Sequence, residues 1–130
     1  MQKKIITVQL REQRVSPKKA RLVMSMVKGM PLDSAMAVLS NTNKKSALTA
    51  LSLLKSAAAA AKDKDYQADK VIICESLVNE GRKLKRYFIR ARGRSTKFLK
   101  RSSHFKISLC AREDQEPKKK TKGKKNGKQS

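Results

Sequence analysis

Residues Gly81–Arg101 read GRKLKRYFIRARGRSTKFLKR, and this stretch decides how the rest of the chain is read. Ten of the twenty residues from Arg82 to Arg101 are Lys or Arg, and no Asp or Glu occurs between Gly81 and Arg112. So dense a block of one sign repels itself unless a polyanion neutralises it. Leu84, Tyr87, Phe88, Ile89, Phe98 and Leu99 are threaded through the charges, which a merely solvated tract would not carry. Arg92-Gly93-Arg94 sits at the centre, where glycine lets the chain reverse at little steric cost. The stretch reads as an extended basic β-hairpin suited to entering folded RNA, with Arg82, Lys83, Lys85, Arg86, Arg90, Arg92, Arg94, Lys97, Lys100 and Arg101 as its anchoring cations.

A strand rises about 3.3 Å per residue, so the dozen or so residues from Gly81 to Gly93 reach roughly 40 Å from the core. An isolated two-stranded ribbon is marginal in water, and like charges across this one weaken it further. The expectation is an arm that orders when packed in RNA, at a cost its binding energy must cover. Phosphate neutralisation by Lys and Arg would make binding fall steeply with salt. Arginine adds a planar fork that grips phosphate and stacks on bases. Tyr87, Phe88 and Phe98 have two equal readings: packing on sugars or unstacked bases, or packing on each other across the ribbon.

On either side of the arm the pattern is that of a domain. Val71–Val78 is a short apolar, β-branched run, hence a strand. Phe105, Ile107 and Leu109 alternate with polar neighbours and predict another. Strand, basic insertion and strand read as one long hairpin over about 79–104, its base in the domain sheet. Ile6, Val8 and Leu10 alternate with Thr7, Gln9 and Arg11, a half-buried strand. Ser16-Pro17 predicts a helix start, serine as N-cap and proline at N1. Ala20, Val23, Met24 and Val27 form its inner face, and Gly29 its stop. Pro31 opens a short second helix with Leu32, Ala35, Met36 and Leu39 buried. Asn43 is expected to cap a third helix to about Lys62, with Leu48, Leu51, Leu54 and Ala58 at helical spacing. Its Ala57–Ala61 run has high helix propensity and would let a neighbour approach closely.

Composition bounds the rest. At 130 residues and a formal net charge of +23, one domain and an anionic partner are implied. No apolar run approaches the roughly 20 residues that span a bilayer, and MQKKIITVQL lacks a signal-peptide core. Cys74 and Cys110 are expected to be reduced core residues rather than a disulfide, since isolated cysteines in a chain with cytosolic features seldom pair. His104, the sole histidine, has no Cys or His at metal spacing, so a structural or RNA-contacting role outweighs ligation. No phosphate loop, paired carboxylate or nucleophile–base arrangement is present: no catalytic residue, metal or cofactor is expected. Residues 113–130, Lys-rich and without core-forming residues, read as a disordered tail after a single 1–112 domain.

Arg14-Val-Ser-Pro-Lys-Lys-Ala-Arg-Leu-Val23, the tract around Lys44-Lys45-Ser46-Ala47, Asn79-Glu80-Gly81, Leu84-Lys-Arg86, Arg90-Ala-Arg-Gly-Arg94 and Lys100-Arg-Ser-Ser-His104 stand in an order that resembles the large-subunit ribosomal protein twenty-two family in its compact bacterial form. The resemblance covers roughly residues 5 to 111. It implies an α+β fold, three helices packed on a small three-stranded antiparallel sheet with a long basic β-hairpin. It also implies a cytoplasmic place in the large ribosomal subunit, bound to large-subunit rRNA near the exit-tunnel mouth. Arg14, Ser16, Lys18, Lys19, Arg21 and His104 would join the arm's cations as rRNA contacts. Arg90, Ala91, Arg92, Gly93 and Arg94 would form a tunnel-lining tip, near ribosomal protein four of the large subunit and the nascent polypeptide. Leu84, Lys85 and Arg86 would lie on the first arm, near the region where macrolide antibiotics are affected. Arg82 and Ile89 stand where the family often has proline, which restores two backbone donors and frees φ. Two other classes fit the charge less well: an architectural DNA-binding ribbon, which usually carries an apolar wedge where this tip has Arg-Gly-Arg, and a membrane-active protein, which needs an amphipathic cationic helix.

Overall fold

A computed structural model describes residues 4–111; the expected Lys-rich tail lies outside them. Strand β1 (Lys4–Gln13) leads to helices α1 (Pro17–Val27), α2 (Leu32–Asn41) and α3 (Lys45–Asp63). Strands β2 (Val71–Glu80), β3 (Leu84–Ile89), β4 (Ser95–Lys100) and β5 (Ser103–Ala111) follow. This is an α+β arrangement with antiparallel sheets, but its five strands form two sheets rather than one. The domain sheet has the order β1-β5-β2, and β3-β4 pair separately.

The last strand takes the central place because its inward set is the most apolar: Phe105, Ile107 and Leu109 are fully buried. The helices cover one face of the sheet, α1 against β2, α3 against β1 and β5, and α2 against α3. Ala20, Val23, Met24 and Val27 of α1 and Leu32, Ala35 and Leu39 of α2 point into that layer, with Met36 half-buried. At the exit of α1, Gly29 adopts φ 83°, a left-handed conformation that glycine tolerates. Its N–H donates to the Ile73 carbonyl at 2.7 Å, and the Ile73 N–H donates to Met30 O at 3.0 Å. The helix is thereby stitched to β2.

Three local expectations are corrected. Ser16 stands at the N-cap of α1, but its hydroxyl makes no capping hydrogen bond. Helix α3 is capped by Lys44 rather than Asn43, because the Ala47 N–H already bonds Lys44 O at 3.2 Å and winds the first turn from there. Its buried residues are Ser46, Ala47, Ala50, Leu53, Leu54, Ala57 and Ala61; Leu54 is buried as expected, Leu51 and Ala58 are half-buried, and Leu48 is 69% exposed. The inner face is thus rotated by one residue, about 100°, because small alanines let α3 lie close to the sheet.

The cysteines also depart from expectation: Cys74 and Cys110 form a disulfide across β2 and β5. Ile72 pairs with Cys110, and the ladder shifts between Ile73 and Glu75. That bulge brings Cys74 diagonally to Cys110 with Cα atoms 5.8 Å apart, within disulfide reach. Since Leu109 faces the helices, Cys110 and its bond lie on the opposite face. Beside them Lys4 Nζ meets Glu75 Oε2 at 2.7 Å, and the Ser108 hydroxyl donates to the same oxygen at 3.1 Å. The Lys4 contact is the main reason that the Glu75 carboxyl is held below its ordinary range. Among the described residues, no helix is long and apolar enough to cross a membrane.

Candidate nucleic-acid interface

The arm pairs in strict register, Leu84 with Lys100 through Ile89 with Ser95. Opposed residues share a face, so Leu84, Arg86, Phe88, Thr96, Phe98 and Lys100 lie on one side. Lys85, Tyr87, Ile89, Ser95, Lys97 and Leu99 lie on the other. Each face therefore mixes cations with apolar side chains, and all ten arm cations are exposed. Phe88 and Phe98 stack with centroids 4.3 Å apart and planes 24° apart, and the Arg90 guanidinium lies 6.0 Å from the Phe88 centroid. Of the two readings of the aromatics, cross-strand packing holds for this pair. Tyr87 stays exposed and Ile89, beside the tip, is 89% exposed.

The tip is a five-residue loop. The Arg90 N–H donates to Arg94 O at 2.6 Å, and Arg92 and Gly93 both take positive φ, 60° and 72°. Glycine adopts this freely, while Arg92 bears the strain of the left-handed region. Arg90, Arg92 and Arg94 form no ion pair among the described residues and are exposed at the end of the ribbon.

The root breaks the expected single hairpin into two ladders. Residues 79–80 and 103–104 belong to the domain sheet, and pairing resumes only at Leu84 and Lys100. In the gap the Gly81 N–H donates to Ser102 O at 2.9 Å, and the Ser102 hydroxyl returns a bond to Arg82 O at 2.6 Å. A Cβ at Gly81 would lie 2.5 Å from that hydroxyl and 3.2 Å from His104 Cε1. The buried Ser103 hydroxyl donates to Val15 O at 3.0 Å, fixing the β1–α1 turn against the root. His104 accepts the Glu12 N–H on Nδ1 at 2.9 Å, which leaves the ring proton on Nε2. Its first role is to hold the left-handed kink at Glu12, φ 53°, where β1 slips register between Leu10 and Gln13.

These contacts gather separate parts of the sequence. Arg14 shares a groove with Arg82 and Lys100 beside Leu84 and Ser102. Lys18 and Arg21 share another with Arg101 and Glu80. Three of the expected cations have partners inside the protein, among them Arg86, whose Nη1 donates to Lys85 O at 2.9 Å. Arg21 Nε donates to Val78 O at 3.3 Å, tying α1 to β2, and Lys83 lies 3.6 Å from Glu80 in a surface ion pair. Sequence reasoning gave no role to Lys44 and Lys45, which the fold sets beside Arg14 and Lys19. Their pairing before a helix, in a tract that also carries the family resemblance, was the available signal. No group of three or more metal-ligating side chains occurs among the described residues.

The chain is similar to known proteins over nearly all of the described region. A family model described as ribosomal protein L22p/L17e matches residues 8–110. The large ribosomal subunit protein uL22 of Magnetococcus marinus is 40% identical over 103 residues, 78% of this chain and 91% of that protein. The uL22 of Lawsonia intracellularis is 46% identical over 97 residues, covering 74% and 87%. That of Mycoplasmopsis agalactiae is 44% identical over 98 residues, covering 75% and 86%.

Proposed function

The chain belongs to the ribosomal protein L22p/L17e family, and from that premise we propose that it is a structural, non-enzymatic constituent of the large ribosomal subunit that binds large-subunit rRNA and supports its folding and assembly. The observation that carries the reading is the arm: ten exposed cations on a ribbon outside the domain sheet, with Glu80 and Glu12 as the carboxylates at its root among the described residues. Such a ribbon repels itself in water and gains most where phosphates surround it on both faces. Apolar groups on both faces fit the same setting, since sugars and unstacked bases offer surface that water does not.

The division at the root gives the two parts separate tasks. The domain, with Arg14, Ser16, Lys18, Lys19 and His104 around the root, seats on RNA near the exit-tunnel mouth. The arm runs inward, and Arg90–Arg94 line the tunnel wall near protein four and the nascent chain. The Phe88–Phe98 stack stiffens the ribbon short of its tip, so less ordering is left to be done on binding. Competition at matched salt between fragments of large-subunit rRNA and duplex DNA tests this reading. Preferential binding to the rRNA is expected, and equal or stronger binding to DNA would overturn it. Replacing Arg90, Arg92 and Arg94 with Glu should impair assembly or nascent-chain passage. Normal assembly with unchanged tunnel behaviour would remove the proposed tip.

A further inference from the structure

We infer that the groove between the first turns of α1 and α3 is a second phosphate site for RNA backbone, separate from the arm; this rests on the reading of the chain as an RNA-binding protein. The groove encloses about 490 Å³. Arg14 and Lys19 stand on one wall, Lys44 and Lys45 on the other, and no carboxylate among the described residues lines it. Two helix starts converge there, and neither has a capping side chain or an acidic residue in its first turn. First-turn N–H groups have no partner within their helix, and the helix dipole puts partial positive charge at the same end. Both ends therefore favour an anion.

A serine makes the groove more than a cluster of charges. Ser46 is 4% exposed and lines the groove. Its hydroxyl has no hydrogen-bond partner among the described residues, although no fully enclosed side-chain polar atom there lacks one. The hydroxyl must therefore open onto the groove, in position to donate to a phosphate oxygen between the two lysines. Leu22, 69% exposed, continues the α1 wall past Lys19. An anionic oxygen at the helix starts with an apolar surface one turn further on suits a nucleotide unit, phosphate first and sugar or base beyond.

The test uses the full chain and a transcript of the large-subunit rRNA as probe, with affinity measured across a salt series. Ser46→Ala, which alanine's helix propensity should let fold normally, is expected to lose about tenfold in affinity with an unchanged salt slope, since it removes a charge-assisted hydrogen bond but no charge. Lys44→Gln with Lys45→Gln should reduce the slope by about 1.5 to 2, whereas Lys55→Gln further along α3 should leave it close to the parent value. If the parent prefers the rRNA while Ser46→Ala and the double lysine variant bind as the parent does, the groove is overturned and the functional reading stands. If the parent shows no preference for rRNA, both fall. Inorganic phosphate alone, followed by amide shifts at residues 44–47, separates the sources. Weak shifts that the transcript reproduces more strongly support backbone binding, and shifts with phosphate but none with RNA overturn it.

Discussion

Replacing Gly81 by alanine should loosen the joint between domain and arm, because a Cβ there would come within 2.5 Å of the Ser102 hydroxyl. That hydroxyl can escape only by rotating, which breaks its 2.6 Å bond to Arg82 O. One lost hydrogen bond costs about 1 kcal/mol. The His104 ring, 3.2 Å away at Cε1, must also give by a few tenths of an ångström. It is held from behind by the Glu12 N–H, so we set the total at about 1–2 kcal/mol. Ser102→Ala removes the same hydrogen bond without the clash and should cost about 1 kcal/mol. The double variant has neither hydroxyl nor clash with it, and should cost about 1–1.5 kcal/mol, well short of the sum of the two single changes. Denaturant unfolding of the four proteins measures the cycle. Additive effects, or a neutral Gly81→Ala, would refute the account of the root.

Three other outcomes follow. Reducing the Cys74–Cys110 bond, whose partners are 36 residues apart, should lower stability by about 3–4 kcal/mol on loop entropy; an unfolding midpoint indifferent to dithiothreitol would argue against the bond. The Glu75 carboxyl is held low by Lys4, so its contribution is present above the ordinary carboxylate pKa and is lost as pH falls through its depressed value. Glu75→Gln should therefore lower the melting temperature near neutral pH, with the gap closing in acid, and a gap that persists below the depressed value would contradict this. Phe98→Ala removes the stack on Phe88, at about 0.5–1.5 kcal/mol beyond lost burial. It should reduce amide-exchange protection in β3 and β4 while sparing β5, and uniform loss over both sheets would count against a separate ribbon.

The elements that the chain displayed openly are those with a strong local pattern. Alternation in β1 and β5, Ser16-Pro17 before α1 and the charge density of the arm all follow from residues near one another in sequence. What stayed hidden depends on register and packing. A shift at Cys74 brings it to Cys110 across the sheet, and no spacing in the sequence encodes that shift. Leucines carry a louder hydrophobic signal than alanines, so Leu48 drew the stripe of α3 away from its alanine face. The cations of the α1 start and the arm root were legible one by one, but their grouping into grooves required the Ser103–Val15 bond. Lys44 and Lys45 needed α3 to dock beside α1 before they could belong to anything.

The central claim is that this protein is held within the large subunit by RNA on its arm and domain. Retention through a high-salt wash measures it most directly: large subunits carrying the chain are washed, sedimented and probed for it. An arm enclosed by folded rRNA should stay with the subunit at salt that strips loosely bound polycations. Release of the chain into the wash at the same salt as those polycations would contradict the account.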